Sequence, residues 1–171
     1  MKKVEFGKKA RTKLVEGIDI LADAVVSTLG PNGRNVFIQK GIVEPPQSTK
    51  DGVTVARSIV LKDPELEMGV QAMKYAAIKT ADKAGDGTTT STLLAREMVH
   101  AGLEGLNNGE NAVKIKRDID KSVKQVVSKL KDIAEDISDE SQLTQIATVS
   151  ANNDEEIGSL ISTGIEKVGP K

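Results

Sequence analysis

The chain has 171 residues, 38% of them hydrophobic and 29% charged, with a formal net charge of −1, which is the make-up of a folded protein of one domain or slightly more. The near-balanced charge gives no reason to expect a nucleic acid or an anionic membrane as partner, and Phe6, Phe37 and Tyr75 are too few aromatics for a single-strand stacking platform. The lack of cysteine excludes disulfides, zinc thiolate sites and thiol catalysis, permits a reducing compartment, and leaves the core to aliphatic residues and methionine.

Residues 1–15 are basic and polar without an apolar run, so no signal peptide is expected. No stretch approaches the ~20 apolar residues of a membrane span, and the expectation is a soluble, cytoplasmic protein with no membrane partner. Residues 8–29 carry a helical stripe at Leu14, Ile18, Leu21, Val25 and Leu29 that stops at Gly30-Pro31. Asn35–Gln39 reads as a short strand, with a returning piece near Ser48-Thr49-Lys50 and Pro45-Pro46 in the connection. Gly52–Ile59 suits one or two helical turns. A long helix is expected from Pro64 to Ala84, with Leu66, Val70, Met73, Ala77 and Ala84 on one face, broken by Gly85-Asp86-Gly87. The next runs from Thr88 to about Leu106. Ile115, Ile119, Val123, Val126, Leu130, Ile133 and Ile137 then form a continuous aliphatic stripe on a lysine-rich helix. Ser138–Gln142 is a polar joint before a short helical segment at Leu143–Val149. Asn153 with Glu156 resembles a capping box that starts a last helix striped by Ile157, Ile161, Ile165 and Val168. The fold class is mainly α with a small β element.

Three segments have the residue types for chemistry. Gly85-Asp86-Gly87-Thr88-Thr89-Thr90 puts a flexible turn, a carboxylate and three hydroxyls at a helix start, where unpaired N–H groups and the helix dipole favour a phosphate. Asp86 would repel a phosphate unless a cation sat between them, so the corner suits a magnesium nucleotide; an ordinary N-cap by Asp86 or Thr88 is the plainer alternative. Thr28-Leu29-Gly30-Pro31-Asn32-Gly33-Arg34 is a glycine-bearing helix end, either a ligand-approach loop or a simple C-cap. In Lys50-Asp51-Gly52 the lysine suits a phosphate and the aspartate an attacking water, although such a turn is common. No P-loop or dinucleotide fingerprint is present. His100, the single histidine, lacks triad or ligand partners in sequence, and the lysines between Lys114 and Lys131 alternate with acids as a solvated face does.

Thr28-Leu29-Gly30-Pro31 with Gly33-Arg34-Asn35, Thr49-Lys50-Asp51-Gly52-Val53, Gly85-Asp86-Gly87-Thr88-Thr89-Thr90 and Ser150-Ala151-Asn152 occur in the order and spacing of the group I chaperonins. From Phe6-Gly7 to Lys167-Val168-Gly169 the chain resembles the amino-terminal part of a GroEL-type protein. The resemblance implies a multihelical equatorial-type ATP-binding region over residues 1–132, with a β stem-loop that reaches a neighbouring subunit, and the ascending part of an intermediate-type domain over 133–171. It implies that Thr28, Leu29, Gly30 and Pro31 give backbone contacts to ATP and that Lys50 lies near its phosphates. Asp86 would bind Mg2+, while Gly87, Thr88, Thr89 and Thr90 would hold the β and γ phosphates. Asp51 would position the hydrolytic water, and Ser150 would join the intermediate domain to the pocket. The family assembles homo-oligomeric rings that fold unfolded polypeptide with a co-chaperonin, through an apical domain that this sequence does not contain, so the chain reads as a portion of a longer chaperonin or a truncated form. The alternative is a non-hydrolysing interaction module that docks on a full ring.

Overall fold

The structure is a computed structural model, and it describes residues 4–151 and 153–169. Among these are seven helices and one two-stranded antiparallel sheet, in two compact units, Met1–Asp120 and Lys121–Lys171.

In the first unit, α1 (Gly7–Val26) places Ile18, Leu21 and Val25 at its centre, as the stripe predicts. Leu29 does not join them. The helix ends at Val26, and Leu29 is largely exposed. The cause is local: the Ser27 hydroxyl donates to the Ala24 carbonyl and the Thr28 hydroxyl to that of Val25, both at 2.7 Å, while Thr28 and Leu29 N–H take tight i−3 bonds. Those bonds compete with helix propagation. Strands β1 (Val36–Ile38) and β2 (Gln47–Thr49) pair Val36 with Thr49 and Ile38 with Gln47, and α2 (Gly52–Ser58) follows directly.

Helix α3 (Pro64–Ala84) starts on Pro64 behind the N-cap Asp63 and ends at Gly85, whose φ of 74° is the left-handed C-cap. Its buried face is Val70, Met73 and Ala77; Ala84, expected on that face, is exposed because the helix has outrun the core. The core joins Ile18, Leu21, Val25, Val55, Ala56, Val70, Met73 and Ala77, wholly aliphatic apart from the methionine. Helices α1 and α3 cross at backbone contact. A Cβ on Gly17 would run into the Leu66 carbonyl, and one on Gly69 into the Leu14 carbonyl. Helix α4 (Thr88–Asn107) lies against both. Helix α5 (Ala112–Ile133) begins in this unit, with Ile115 and Ile119 half-buried over Gly102 and Gly105 of α4.

In the second unit the rest of α5 leaves Val123, Val126, Leu130 and Ile133 exposed, and Ile137, beyond the helix, is exposed too. Helix α6 (Glu140–Ser150) starts three residues earlier than expected. Asp139 caps it by accepting from Gln142 N–H at 2.9 Å, and the Gln142 amide reaches back to Ser138 N–H at 2.8 Å. Helix α7 (Glu155–Val168) pairs with α6 through Ala147, Gly158 and a Thr144–Ser162 hydroxyl bond of 2.9 Å. The expected Asn153/Glu156 cap is displaced by one residue. Asn153 adopts a left-handed φ of 64° in place of the extended backbone usual for a side-chain cap, and Asp154 caps the helix by accepting from Ile157 N–H at 3.0 Å.

Candidate functional site

The three glycine-hinged segments of the first unit meet at one residue, Thr89. Its hydroxyl lies 3.2 Å from that of Thr28, at the end of α1. Gly52, the first residue of α2, faces the same side chain so closely that an added Cβ would stand 2.5 Å from Thr89 Oγ1 and 3.6 Å from Thr89 N. Segments about sixty and forty residues upstream are therefore joined to the α4 start by a hydroxyl pair and by a contact too close to admit a Cβ without a shift of Thr89.

Helix α4 opens in an unusual way. Its N-cap is Gly87, left-handed at φ 81°, and it supplies no side-chain cap. Asp86 does not cap the helix; its Oδ1 accepts only as far as Gly87 N–H, at 2.6 Å. Thr88, the other candidate cap, is buried as the first helical residue. The first-turn N–H groups of Thr88, Thr89 and Thr90 thus receive nothing from the N-cap residue, which leaves the helix start open to an external acceptor. Below it, Thr92 is fully buried and donates to the Thr88 carbonyl at 2.8 Å, as Ser91 does at 2.9 Å, which fixes the first turn from the core side.

Thr28 is buried, whereas Leu29, Gly30 and Pro31 stand exposed in a turn closed by Arg34 N–H to Ser27 O at 2.8 Å. Gly30 takes φ 70°, a conformation in which its backbone lies unscreened by a side chain. Lys50 and Asp51 are exposed between β2 and α2, next to Gly52. Asp51 is the N-cap of α2. Its Oδ1 accepts from Val53 N–H at 3.2 Å, and its Oδ2 from Thr54 N–H at 2.9 Å and from the Thr54 hydroxyl in a short bond. Partial burial pushes its carboxyl up, but the Thr54 hydroxyl, the two N–H groups and the Arg57 charge outweigh it and hold it below the usual carboxylate value of 3.8. An acid so held is a weak base and a good anchor for a water. Ser150 belongs to the second unit, as the exposed last residue of α6, and Asn152 lies outside the described residues.

Two groups escaped the sequence reading. The Thr28–Thr89 bond links positions that no periodicity relates. Thr54 sits three residues after a capping aspartate, a spacing that does signal a side-chain partner. His100 is placed as its lack of sequence partners allows. Its Nε2 lies 2.7 Å from Asp19 Oδ1, and nearby Arg96 donates to Asp23 at 2.7 Å, so both tie α4 to α1 away from the corner.

A metal can be tested against this donor set. Among the described residues no three of His, Cys, Asp and Glu cluster as a self-sufficient cation cage. A single exposed carboxylate beside an open helix start is instead the set that suits Mg2+, which keeps waters and is shared between one or two carboxylates and substrate phosphates. The residues fit a magnesium-bound phosphate chain and do not fit a metal held by protein alone.

The class defined by this fold and corner is a multihelical protein with a small antiparallel sheet and a helix start that has no side-chain cap. The TCP-1/cpn60 chaperonin family matches residues 21–170, and the chain belongs to it. Among solved structures, the chaperonin gp146 from the bacteriophage EL 2 (Pseudomonas aeruginosa), crystallised in the presence of ATP-BeFx, is 35% identical over 91% of this chain and 27% of that one, with a TM-score of 0.77. A second crystal form gives 34% identity over 96% and 29%, with a TM-score of 0.79. A group III chaperonin in the open state shares the fold, at 20% identity over 95% and 32% and a TM-score of 0.79. This chain spans under a third of the length of each of these proteins.

Proposed function

We propose that the chain binds Mg-ATP at the Thr89 junction, as the nucleotide-binding part of an ATP-driven, group I-type chaperonin. The observation that carries this is the meeting of Thr28, Gly52 and Thr89 at a helix start without a cap. In this assignment the N–H groups of Thr88, Thr89 and Thr90 and the threonine hydroxyls hold the β and γ phosphates, with Gly87 as the turn that lets them approach. Lys50 adds a neutralising charge, and the exposed turn of Leu29, Gly30 and Pro31 offers main-chain contacts to the rest of the nucleotide. Asp86 is the Mg2+ ligand. The chemistry that Mg2+ supplies when bound is neutralisation of charge on the phosphate oxygens. Asp51, kept ionised by its bonds, orients the attacking water rather than removing its proton. Residues 1–132 then form the equatorial-type region and 133–171 the ascending intermediate-type segment. Ring assembly, cytoplasmic location, and the binding of unfolded polypeptide and co-chaperonin belong to the whole protein in this proposal.

Replacement of Asp86 by alanine tests it. Calorimetric affinity for Mg-ATP should fall at least tenfold, on the order of one lost charged contact. Chelating the magnesium should bring the unsubstituted protein to the same weak affinity. Undiminished binding by the variant would refute the assignment. A second reading, that the chain docks on a chaperonin ring without hydrolysis, is favoured by the exposed stripe of Val123, Val126, Leu130 and Ile133. Co-sedimentation with an assembled ring, without ATP turnover by the chain, would select it.

A further inference from the structure

We propose that Thr54 is a positioning residue for ATP hydrolysis: its hydroxyl fixes the Asp51 carboxylate that orders the attacking water. The inference rests on the nucleotide assignment above and extends it to a residue in which no sequence motif for phosphate binding lies.

Most hydroxyls on or just past the helices of the first unit that form a hydrogen bond follow a pattern. Thr12, Ser27, Thr28, Ser58, Thr80, Ser91 and Thr92 each donate to a main-chain carbonyl three or four residues back. Thr54 departs from it and gives its proton to a carboxylate, Asp51 Oδ2. The two backbone N–H bonds from Val53 and Thr54 already satisfy a helix cap. The hydroxyl is a third donor, and a charge-assisted one, on an oxygen that capping alone does not require to be doubly held. Its effect is to take away the remaining torsional freedom of the carboxylate. That freedom matters here because Asp51 is exposed at the rim of the corner, one residue before the Gly52–Thr89 contact, and an unfixed acid there would order a water poorly. The charged groups on its own segment are Lys50, next to it in sequence, and Arg57 in the last turn of α2, whose charge acts on it; α4 meets the neighbouring Gly52 with the uncharged Thr89.

The test compares the unsubstituted protein with Thr54→Val, which keeps the shape without the hydroxyl, Thr54→Ser, which restores it, and Thr54→Ala as a smaller replacement should valine disturb the fold. Carbon-13 NMR titration of the Asp51 carboxyl reads the hold directly: its midpoint should rise in Val and Ala and return in Ser. Single-turnover hydrolysis of Mg-ATP should slow roughly tenfold in Val and recover in Ser, with calorimetric affinity unchanged within about twofold. An unmoved Asp51 midpoint, an unslowed valine variant, or a serine variant as slow as valine would each overturn the role. Binding of Mg-ATP without turnover by the unsubstituted protein would overturn it too while leaving the site intact. Failure to bind Mg-ATP at all would remove the nucleotide assignment itself, and the titration would still show whether Thr54 governs the carboxylate.

Discussion

Gly52→Ala is the sharpest perturbation of the junction. The new methyl would lie 2.5 Å from Thr89 Oγ1 and 3.4 Å from Val25 Cγ1. An ordinary carbon contact needs about 3.5 Å, so roughly 1 Å must be found. Val25 is fully buried and gives nothing, which leaves the Thr89 side chain to move. Threonine is stiff at χ1, so the hydroxyl swings as a whole and abandons its 3.2 Å partner on Thr28. The lost bond costs about 0.5–1.5 kcal/mol and the overpacking about 1–3, offset by about 0.5–1 from replacing glycine in a helix. The net expectation is a loss of about 2 kcal/mol, read from urea midpoints at unchanged slope. Mg-ATP affinity should fall at least tenfold, because the displaced side chain is a proposed phosphate ligand. Thr28→Val, which removes the hydroxyl bond without the clash, should cost only about 1 kcal/mol. An alanine variant within about 0.5 kcal/mol of the parent that binds Mg-ATP normally would refute the convergence of the three segments.

Gly69→Ala should be more severe for stability, about 3 kcal/mol or more by urea unfolding, since its Cβ meets the Leu14 carbonyl and stands 3.0 Å from Ile18 N, backbone atoms that cannot swing aside. Asp51→Ala should lose the α2 cap, about 0.5–2 kcal/mol at neutral pH. Because the folded carboxyl is held below its unfolded value, that contribution is present above about pH 4 and vanishes as pH falls through the folded value, so the stability difference from Asp51→Ala should shrink on acidification. Arg96→Ala removes the 2.7 Å pair with exposed Asp23 and should cost under about 1 kcal/mol, less in high salt by thermal melting.

The elements most legible in the sequence are those whose ends carry covalent punctuation. Pro64 behind Asp63 and Gly85 after Ala84 mark α3 at both ends because proline fixes φ and glycine alone accepts the left-handed turn cheaply. The end of α1 is not legible in the sequence because apolar periodicity continues to Leu29 while two hydroxyls, Ser27 and Thr28, take carbonyls from the helix. The start of α6 is hidden in the sequence because Asp139 and Gln142 sit in a polar stretch that resembles a joint, and their capping bonds come from the fold. In the corner, the residue types were visible and their meeting was not. Nothing in the spacing of Thr28, Gly52 and Thr89 says that they touch; only the crossing of α1, α2 and α4 does.

The core beneath the corner accounts for why threonines hold this site rather than serines or asparagines. Thr92 is as fully buried as Val25, Val55 and Val70, and threonine brings one methyl to a buried layer with one hydroxyl for bonding. Thr88, Thr92 and Thr28 are buried and Thr89 half-buried, so the hydroxyls are anchored by packing as well as by hydrogen bonds. Asp86, Lys50 and Thr90, the charged and polar groups of the proposed site, are exposed. A helix start whose donors are left unpaired costs stability unless something else secures the turn. Here the buried pair of Thr88 and Thr92, joined by the Thr92 hydroxyl to the Thr88 carbonyl, secures it, and the open N–H groups above are the donors that the proposed phosphate contact uses.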